Sequence, residues 1–306
     1  MGCKGMRFSG FDSLVDKAKS MGRAKVAVAV SEDREVLEAI KLAEQEGLIS
    51  PVLVGDREQI RRLADEIGLD IVGTEVIDEP IPGVAVHKAV DAVVNGQAHF
   101  LMKGQINSSD FLRAVLRAEK GLRTGRLLSH ISAFQVPGFS RLLFVTDGGM
   151  NIAPNLTQKK EILETSLLYL KGIGMDLVKV VVLAANEVAN PKMPVTIDAQ
   201  ALAEMGRAGE FPGAIVEGPL ALDGAVSATA LKHKGISSEI NGDADLILVP
   251  TIEVGNALGK SMVYFAGATM AGIVLGAQVP IVLTSRNDTP RSKLMALTMA
   301  ALNRPE

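Results

Sequence analysis

Short runs of valine, isoleucine, leucine and alanine recur along this chain, each followed by a stretch with apolar residues at helical spacing. "KVAVAVS" (25–31) precedes "DREVLEAIKLAEQEG" (33–47), and "SPVLVGD" (50–56) precedes "REQIRRLADEIG". "DIVGTEVID" (70–78) is followed by "VHKAVDAVVNG" (86–96), which leads to "HFLMKG" (99–104). The second half continues with "SRLLFVTDGG" (140–149), "KEILETSLLYLKGIG" (160–174), "DLVKVVVLAAN" (176–186) and "DADLILVP" (243–250). Strands without in/out alternation must be covered on both faces, which is the condition of a parallel sheet. Alternation with helices then predicts a doubly wound α/β architecture. At 306 residues two domains are expected. No fixed-period repeat or low-complexity linker marks a junction, so the boundary is expected in ordinary loops, near "SAFQVPGFS" (132–140).

Composition excludes several classes. An apolar fraction of 47% is ample for substantial cores and argues against disorder. With 32 basic and 35 acidic residues there is no basic excess for nucleic acid. No tryptophan and two tyrosines leave few platforms for stacking bases. The one cysteine, Cys3, excludes an internal disulfide framework and fits a reducing cytoplasm. "MGCKGM" has Met6 where the myristoylation pattern asks for Ser or Thr, and no secretory core follows. Residues 261–285, "SMVYFAGATMAGIVLGAQVPIVLTS", carry no charge over a length that invites a membrane helix. "GAQVP" interrupts them with turn chemistry, so a buried helix, a short turn and a buried strand are expected, with no membrane span.

The chemistry-bearing residues cluster at strand ends. "IVLTSRNDTP" (281–290) closes an apolar run with Ser285 and Arg286. A hydroxyl and a planar guanidinium fork suit phosphate or carboxylate, and open α/β sheets place ligands outside their strands' carboxyl ends. "MKGQINSSDFLRAVL" (102–116) enters a helix through Asn107, Ser108, Ser109 and Asp110. Those residues suit an N-cap, and the helix start is equally an anion site, with Arg113 one turn in. "VTDGGMNIAPN" (145–155), "VEGPLALDGAV" (216–226) and "VPTIEVGNALGKSM" (249–262) are further polar strand ends. "GNALGKS" nearly imitates a P-loop, but three residues separate its glycines where four are needed. It is read as a strand-to-helix turn, with Lys260 on the helix's first turns. His87, His99, His130 and His233 lack metal-ligand spacing, and neither a dinucleotide fingerprint nor a nucleophile elbow occurs.

Taken in order, six of these segments resemble the phosphate acetyl/butyryltransferase family, especially its shorter butyryl branch. They are "GQINSSDFLRAVL", "VTDGGMNIAPN", "NEVANPKMPVTIDA", "VEGPLALDGAVS", "ADLILVPTIEVGNALGKS" and "VLTSRNDT". The resemblance implies a two-domain α/β fold related to isocitrate and isopropylmalate dehydrogenases, with the active site in an interdomain cleft. The first domain is expected to be discontinuous, residues 1–134 plus 274–306, and the second to span residues 135–273. The implied activity is reversible transfer of a short acyl group between coenzyme A and inorganic phosphate. No prosthetic group, metal or nucleotide is implied, and a cytoplasmic homo-oligomer, with a dimer as one form, is expected.

The resemblance also assigns roles. Ser285 and Arg286 fall on the pair that binds phosphate or acyl phosphate, and Arg113 on the arginine after the S/T-rich loop containing Asn107 and Ser108. A further basic residue matches either Arg123 or Arg126. Asn151 and Pro154 match the loop opening the second domain, and Asn256 and Lys260 match the "GN…K" segment. Such residues make chemical sense. Guanidinium groups hold phosphate and aim one oxygen at a thioester carbonyl, and positive charge is needed where the oxyanion grows. Acetyl-specific relatives place an aspartate where this chain has Ser292; Asp288 is nearer the pair and is either a base toward the thiol or a helix cap. Gly148 and Gly149, beside Met150, are read as leaving room for a butyryl or branched tail. Two other classes stay open: a metal- and NAD-dependent oxidoreductase of the related fold, and a non-catalytic acyl-phosphate binding protein. A thiol-release assay separates the three.

Overall fold

The computed structural model describes residues 7–119, 121–285 and 288–304. They form two compact units, one of residues 11–126 and 271–304 and the other of residues 7–10 and 127–270. The first unit opens with α1 (Phe11–Ser20) and alternates β1 (Ala24–Ala29), α2 (Arg34–Gln45), β2 (Ile49–Gly55), α3 (Arg57–Ile67), β3 (Glu75–Asp78), α4 (Pro82–Val94), β4 (Phe100–Lys103) and α5 (Ser108–Val115). The second contains β5 (Ser129–Gln135), β6 (Leu143–Thr146), α6 (Leu156–Gly172), β7 (Val178–Leu183), α7 (Pro194–Arg207), β8 (Ala214–Leu220), α8 (Leu222–Val226), α9 (Ala228–Lys234), β9 (Leu246–Leu248) and α10 (Ile252–Ala266). Then β10 (Thr269–Leu275), β11 (Ile281–Val282) and α11 (Pro290–Ala301) return the chain to the first unit.

The expected α/β fold is present. In the first unit the strand order is β3-β2-β1-β4-β11, all parallel, with β10 antiparallel beside β11. From β1 the chain builds β2 and β3 on one side, then crosses to place β4 on the other. The order therefore reverses between β1 and β4, where such sheets open a crevice beyond their carboxyl ends. β1 buries every residue except Lys25, as a strand covered on both faces must. Asp33 caps α2 through the Val36 N–H, and Asp56 caps α3 through the Glu58 and Gln59 N–H groups. Helix α11 packs against α2 and α1 and is buried from Lys293 to Ala301.

In the second unit the order is β5-β6-β9-β7-β8. β5 and β6 form an antiparallel pair, and the remaining neighbours are parallel. β9 enters between β6 and β7, which sets the ends of β6 and β9 side by side with Thr146 opposite Leu248.

Two expectations need correction. In residues 261–285, the buried-helix segment is instead the end of α10, whose buried residues are Gly255 and Gly259. Tyr264 and Phe265 there are 74% and 90% exposed. The rest of the run is two buried strands, β10 and β11, whose pairing explains the uncharged length. No helix among the described residues is long and apolar enough to cross a membrane. Nor is "GNALGKS" a strand-to-helix turn. Its glycines lie inside α10 and Lys260 is well into the helix, with Thr251 at the N-cap. The glycines serve close packing: a Cβ on Gly255 would lie 2.6 Å from the Gly148 Cα, and one on Gly259 would lie 3.0 Å from the Phe134 ring.

Candidate active site

Within the first unit, a cavity of about 440 Å³ opens beyond the carboxyl ends of β1, β4 and β11. Glu32 and Arg34, Lys103 and Gln105, Ser285 and Lys293 are on its wall. The buried Lys103 ammonium donates to the carbonyl oxygens of Gly104 (3.1 Å) and Ile106 (3.0 Å), which fixes the turn after β4. Gly104 is required there, since a Cβ would lie 2.1 Å from the Val30 carbonyl oxygen. Lys293, also buried, donates to the Glu35 carboxylate (2.7 Å) and the Asp288 carbonyl oxygen (2.6 Å). Two buried ammonium groups are thereby fixed at the sheet end, on a wall that also carries Glu32, Asp33 and Glu35.

Ser285 is exposed on this wall, and its backbone N–H donates to Asp288 Oδ2 at 2.7 Å. Asp288 thus ties the turn that presents Ser285. The cap of α11 is Thr289, whose Oγ1 accepts the Ser292 N–H at 3.1 Å. Arg286 lies outside the described residues. Glu32 is buried, and its Oε2 has no hydrogen-bond partner among the described residues. That oxygen lies over Gly55, where a Cβ would approach it to 1.9 Å. Burial pushes the Glu32 carboxyl above its ordinary value; the backbone N–H groups of Glu32 and Asp56 pull it down, and the Asp56 charge adds to the rise.

A second cavity of about 250 Å³ lies between the starts of α4 and α5, with Gln105, Asn107 and Asp110 on its wall. Asn107 is at the N-cap of α5, yet its side chain makes no cap hydrogen bond. Ser108 and Ser109 are exposed in the first turn. Arg113 is exposed and turned to Asp110 at 2.7 Å. Arg123 and Arg126 are both exposed. The backbone of Arg123 bridges to Ala277, while the Arg126 N–H donates to Thr124 Oγ1 at 3.1 Å.

In the second unit the loop after β6 is organised by Asp147, which is 2% exposed. Its Oδ1 accepts the N–H groups of Gly149 and Met150, both at 2.9 Å. Its Oδ2 accepts the backbone N–H of Asn151 at 3.2 Å and the side-chain Nδ2–H at 2.6 Å. Pro154 is buried beyond this turn, and Asn155 with Gln158 forms a capping box that starts α6. Asn256 and Lys260 are exposed on α10, and the Asn256 backbone comes close to Gly148.

The glycine pair does not leave the room expected for an acyl tail. A Cβ on Gly148 would lie 2.9 Å from the Gly255 carbonyl carbon, and one on Gly149 would lie 3.0 Å from the His130 ring. Both small residues let neighbours approach. Sequence reasoning also passed over Glu32, Lys103 and Asp147. The signal was present in "VAVSED", "FLMKG" and "FVTDGG", each with a charged residue at or just beyond the end of an apolar strand. Among the described residues no group of three or more His, Cys, Asp or Glu side chains is placed to hold a metal ion.

Comparison with known proteins accounts for nearly the whole length. The family model described as phosphate acetyl/butaryl transferase matches residues 10–82 and 79–301. The phosphate butyryltransferase of Clostridium acetobutylicum is 43% identical over 292 residues, which cover 95% of this chain and 97% of that protein. A branched-chain phosphotransacylase from Enterococcus faecalis V583 superposes with a TM-score of 0.82 at 32% identity, covering 92% of this chain and 100% of that one. A 4-hydroxythreonine-4-phosphate dehydrogenase from Klebsiella pneumoniae shares the fold alone, with a TM-score of 0.56, 17% identity, and 90% and 98% of the two chains covered. The chain belongs to the phosphate acetyl/butyryl transferase family.

Proposed function

We propose that this chain transfers an acyl group reversibly between coenzyme A and inorganic phosphate, with a four-carbon or branched acyl group preferred. The observation that carries the reading is family membership along nearly the whole chain, and Ser285 on the crevice wall supports it. A phosphate oxygen attacks the thioester carbonyl, the tetrahedral oxyanion collapses, and the C–S bond breaks to release a thiolate that takes up a proton. Ser285 and Arg286 hold the phosphate, and Asp288 shapes the turn that presents the serine. Asn107 and Ser108, at the uncapped start of α5, and the exposed Arg113 and Arg126 receive further negative charge. Asn151, Pro154, Asn256 and Lys260 serve the acyl-coenzyme A side. Direct attack needs orientation above all, worth ~7–11 kcal/mol, so no side-chain nucleophile, prosthetic group, metal or nucleotide is needed. The acyl preference follows the names of the Clostridium acetobutylicum and Enterococcus faecalis relatives.

The same reading places the protein in the cytoplasm, consistent with its one cysteine. Exposed Tyr264 and Phe265 at the end of α10 support a homo-oligomer, with a dimer as its simplest form. Thiol release from a C2–C6 series of acyl-CoAs tests the activity. Release is expected to require added phosphate and no nucleotide or metal. Butyryl or branched thioesters should give the highest kcat/KM, in graded steps of ~1–3 kcal/mol per methylene. Phosphate-independent hydrolysis, or NAD reduction with a hydroxy acid, would overturn the activity; a maximum at acetyl-CoA would overturn the acyl preference.

A further inference from the structure

Asn151 is fixed in one amide orientation. Its Nδ2 faces two acceptors, the Leu128 carbonyl oxygen at 2.8 Å and the Asp147 carboxylate at 2.6 Å. A primary amide has two N–H groups, so both are used inside the protein. Turning the amide over would set Oδ1 against two oxygens and lose both bonds, and the network therefore decides the assignment. The carboxylate itself cannot swing away, because the backbone N–H groups of Gly149, Met150 and Asn151 also donate to it. What half-buried Asn151 offers a ligand is Oδ1, to which no described residue donates. It is an acceptor only.

That polarity excludes several partners in the acyl-transfer reaction. The thioester carbonyl, the tetrahedral oxyanion and the unprotonated oxygens of phosphate all call for donors; the single P–O–H of the phosphate dianion is the competing donor, and the phosphate KM reads it. The donors of matching strength are the two amide N–H groups on the pantetheine arm of coenzyme A. We propose that Asn151 Oδ1 accepts a pantetheine amide N–H, with Asp147 as the positioning residue that aims it. This deepens the acyl-transfer reading and rests on it: Asn151 would set the position of the arm and would make no contact with phosphate.

Two butyryl-CoA analogues test the assignment, each with one pantetheine amide replaced by an ester and so lacking one N–H. The intact protein should lose about tenfold in kcat/KM with one analogue and little with the other, the scale of one hydrogen bond. Asn151→Ala should treat that analogue and butyryl-CoA alike, with an unchanged phosphate KM. Equal rates for both analogues and butyryl-CoA in the intact protein would overturn the proposal without requiring any variant to fold. So would an Asn151→Ala protein that still discriminates, or one whose phosphate KM rises while its acyl-CoA KM stays constant. An intact protein inert toward acyl-CoA and phosphate would instead reject the acyl-transfer reading, and this assignment with it.

Discussion

The loops that follow β6 and β11 both leave short buried strands, yet they are held in different ways. After β6, a buried carboxylate gathers three backbone N–H groups and one side-chain amide, so the turn is set before any ligand arrives. After β11, exposed Ser285 sits in a turn tied to half-buried Asp288 and faces an open cavity. One loop is anchored on a buried carboxylate; the other is tied by a half-buried one at the surface. Substitutions in the first should therefore change stability and catalysis together, while those in the second should change catalysis alone.

The largest effect tests the surface side of that contrast. Arg286→Ala should lower kcat/KM by about 10²–10³-fold, as expected when a charged donor to developing negative charge is lost, and should raise the phosphate KM. Arg286→Lys should recover part of this, because an ammonium keeps the charge without the planar fork. Ser285→Ala should cost about 10–100-fold, with a melting temperature equal to the parent's. Near-parental kinetics for Arg286→Ala would move the phosphate site elsewhere.

Asp147→Ala tests the interior side. It leaves the N–H groups of Gly149, Met150 and Asn151 without their acceptor, so stability should fall by about 1–3 kcal/mol in denaturant unfolding. A displaced Asn151 should slow turnover by up to roughly 10²-fold. A stable but slow Asp147→Ala, or a fast but unstable one, would break the expected coupling.

The smallest effect concerns Glu32, buried like Asp147 but with an oxygen left unpartnered. Its folded-state pKa is raised by burial. Its contribution is therefore present below the ordinary glutamate value and is lost as pH rises through the raised one. Glu32→Gln should melt about 1–3 °C higher than the parent at neutral pH. The gap should close below the ordinary glutamate pKa, which melting curves across pH will read. A gap that widens on acidification would reverse the sign.

Much of the architecture was legible because buried parallel strands and amphipathic helices leave distinct periodicities, as in "KVAVAVS" and "DREVLEAIKLAEQEG". Where local pattern misled, tertiary contact had taken over. Gly255 and Gly259 look like loop glycines but sit inside α10, because Gly148 and Phe134 approach the helix too closely for side chains. Ser285, Asn151 and Asn107 could be read as strand-end polar residues, but the carboxylate or backbone each would meet could not. Asp147 was the hardest to see. Its importance comes from which N–H groups converge on it, and no one-dimensional spacing records that.

The contact between Gly148 and Gly255 sets terms for any attempt to redesign the acyl range. Backbone lies against backbone there, and the Ile252 N–H donates to the Ile152 carbonyl oxygen at 2.9 Å, so loop and helix act as one part. A saturation library that includes positions 148 or 255 would sample shifts of α10 rather than changes in pocket shape. Diversity placed at half-buried Met150 or exposed Ile152 leaves that joint intact. The same joint is a natural seam for chimeras: residues 147–152 and 252–259 should be exchanged between relatives together, because either segment alone would inherit a partner cut to a different clearance.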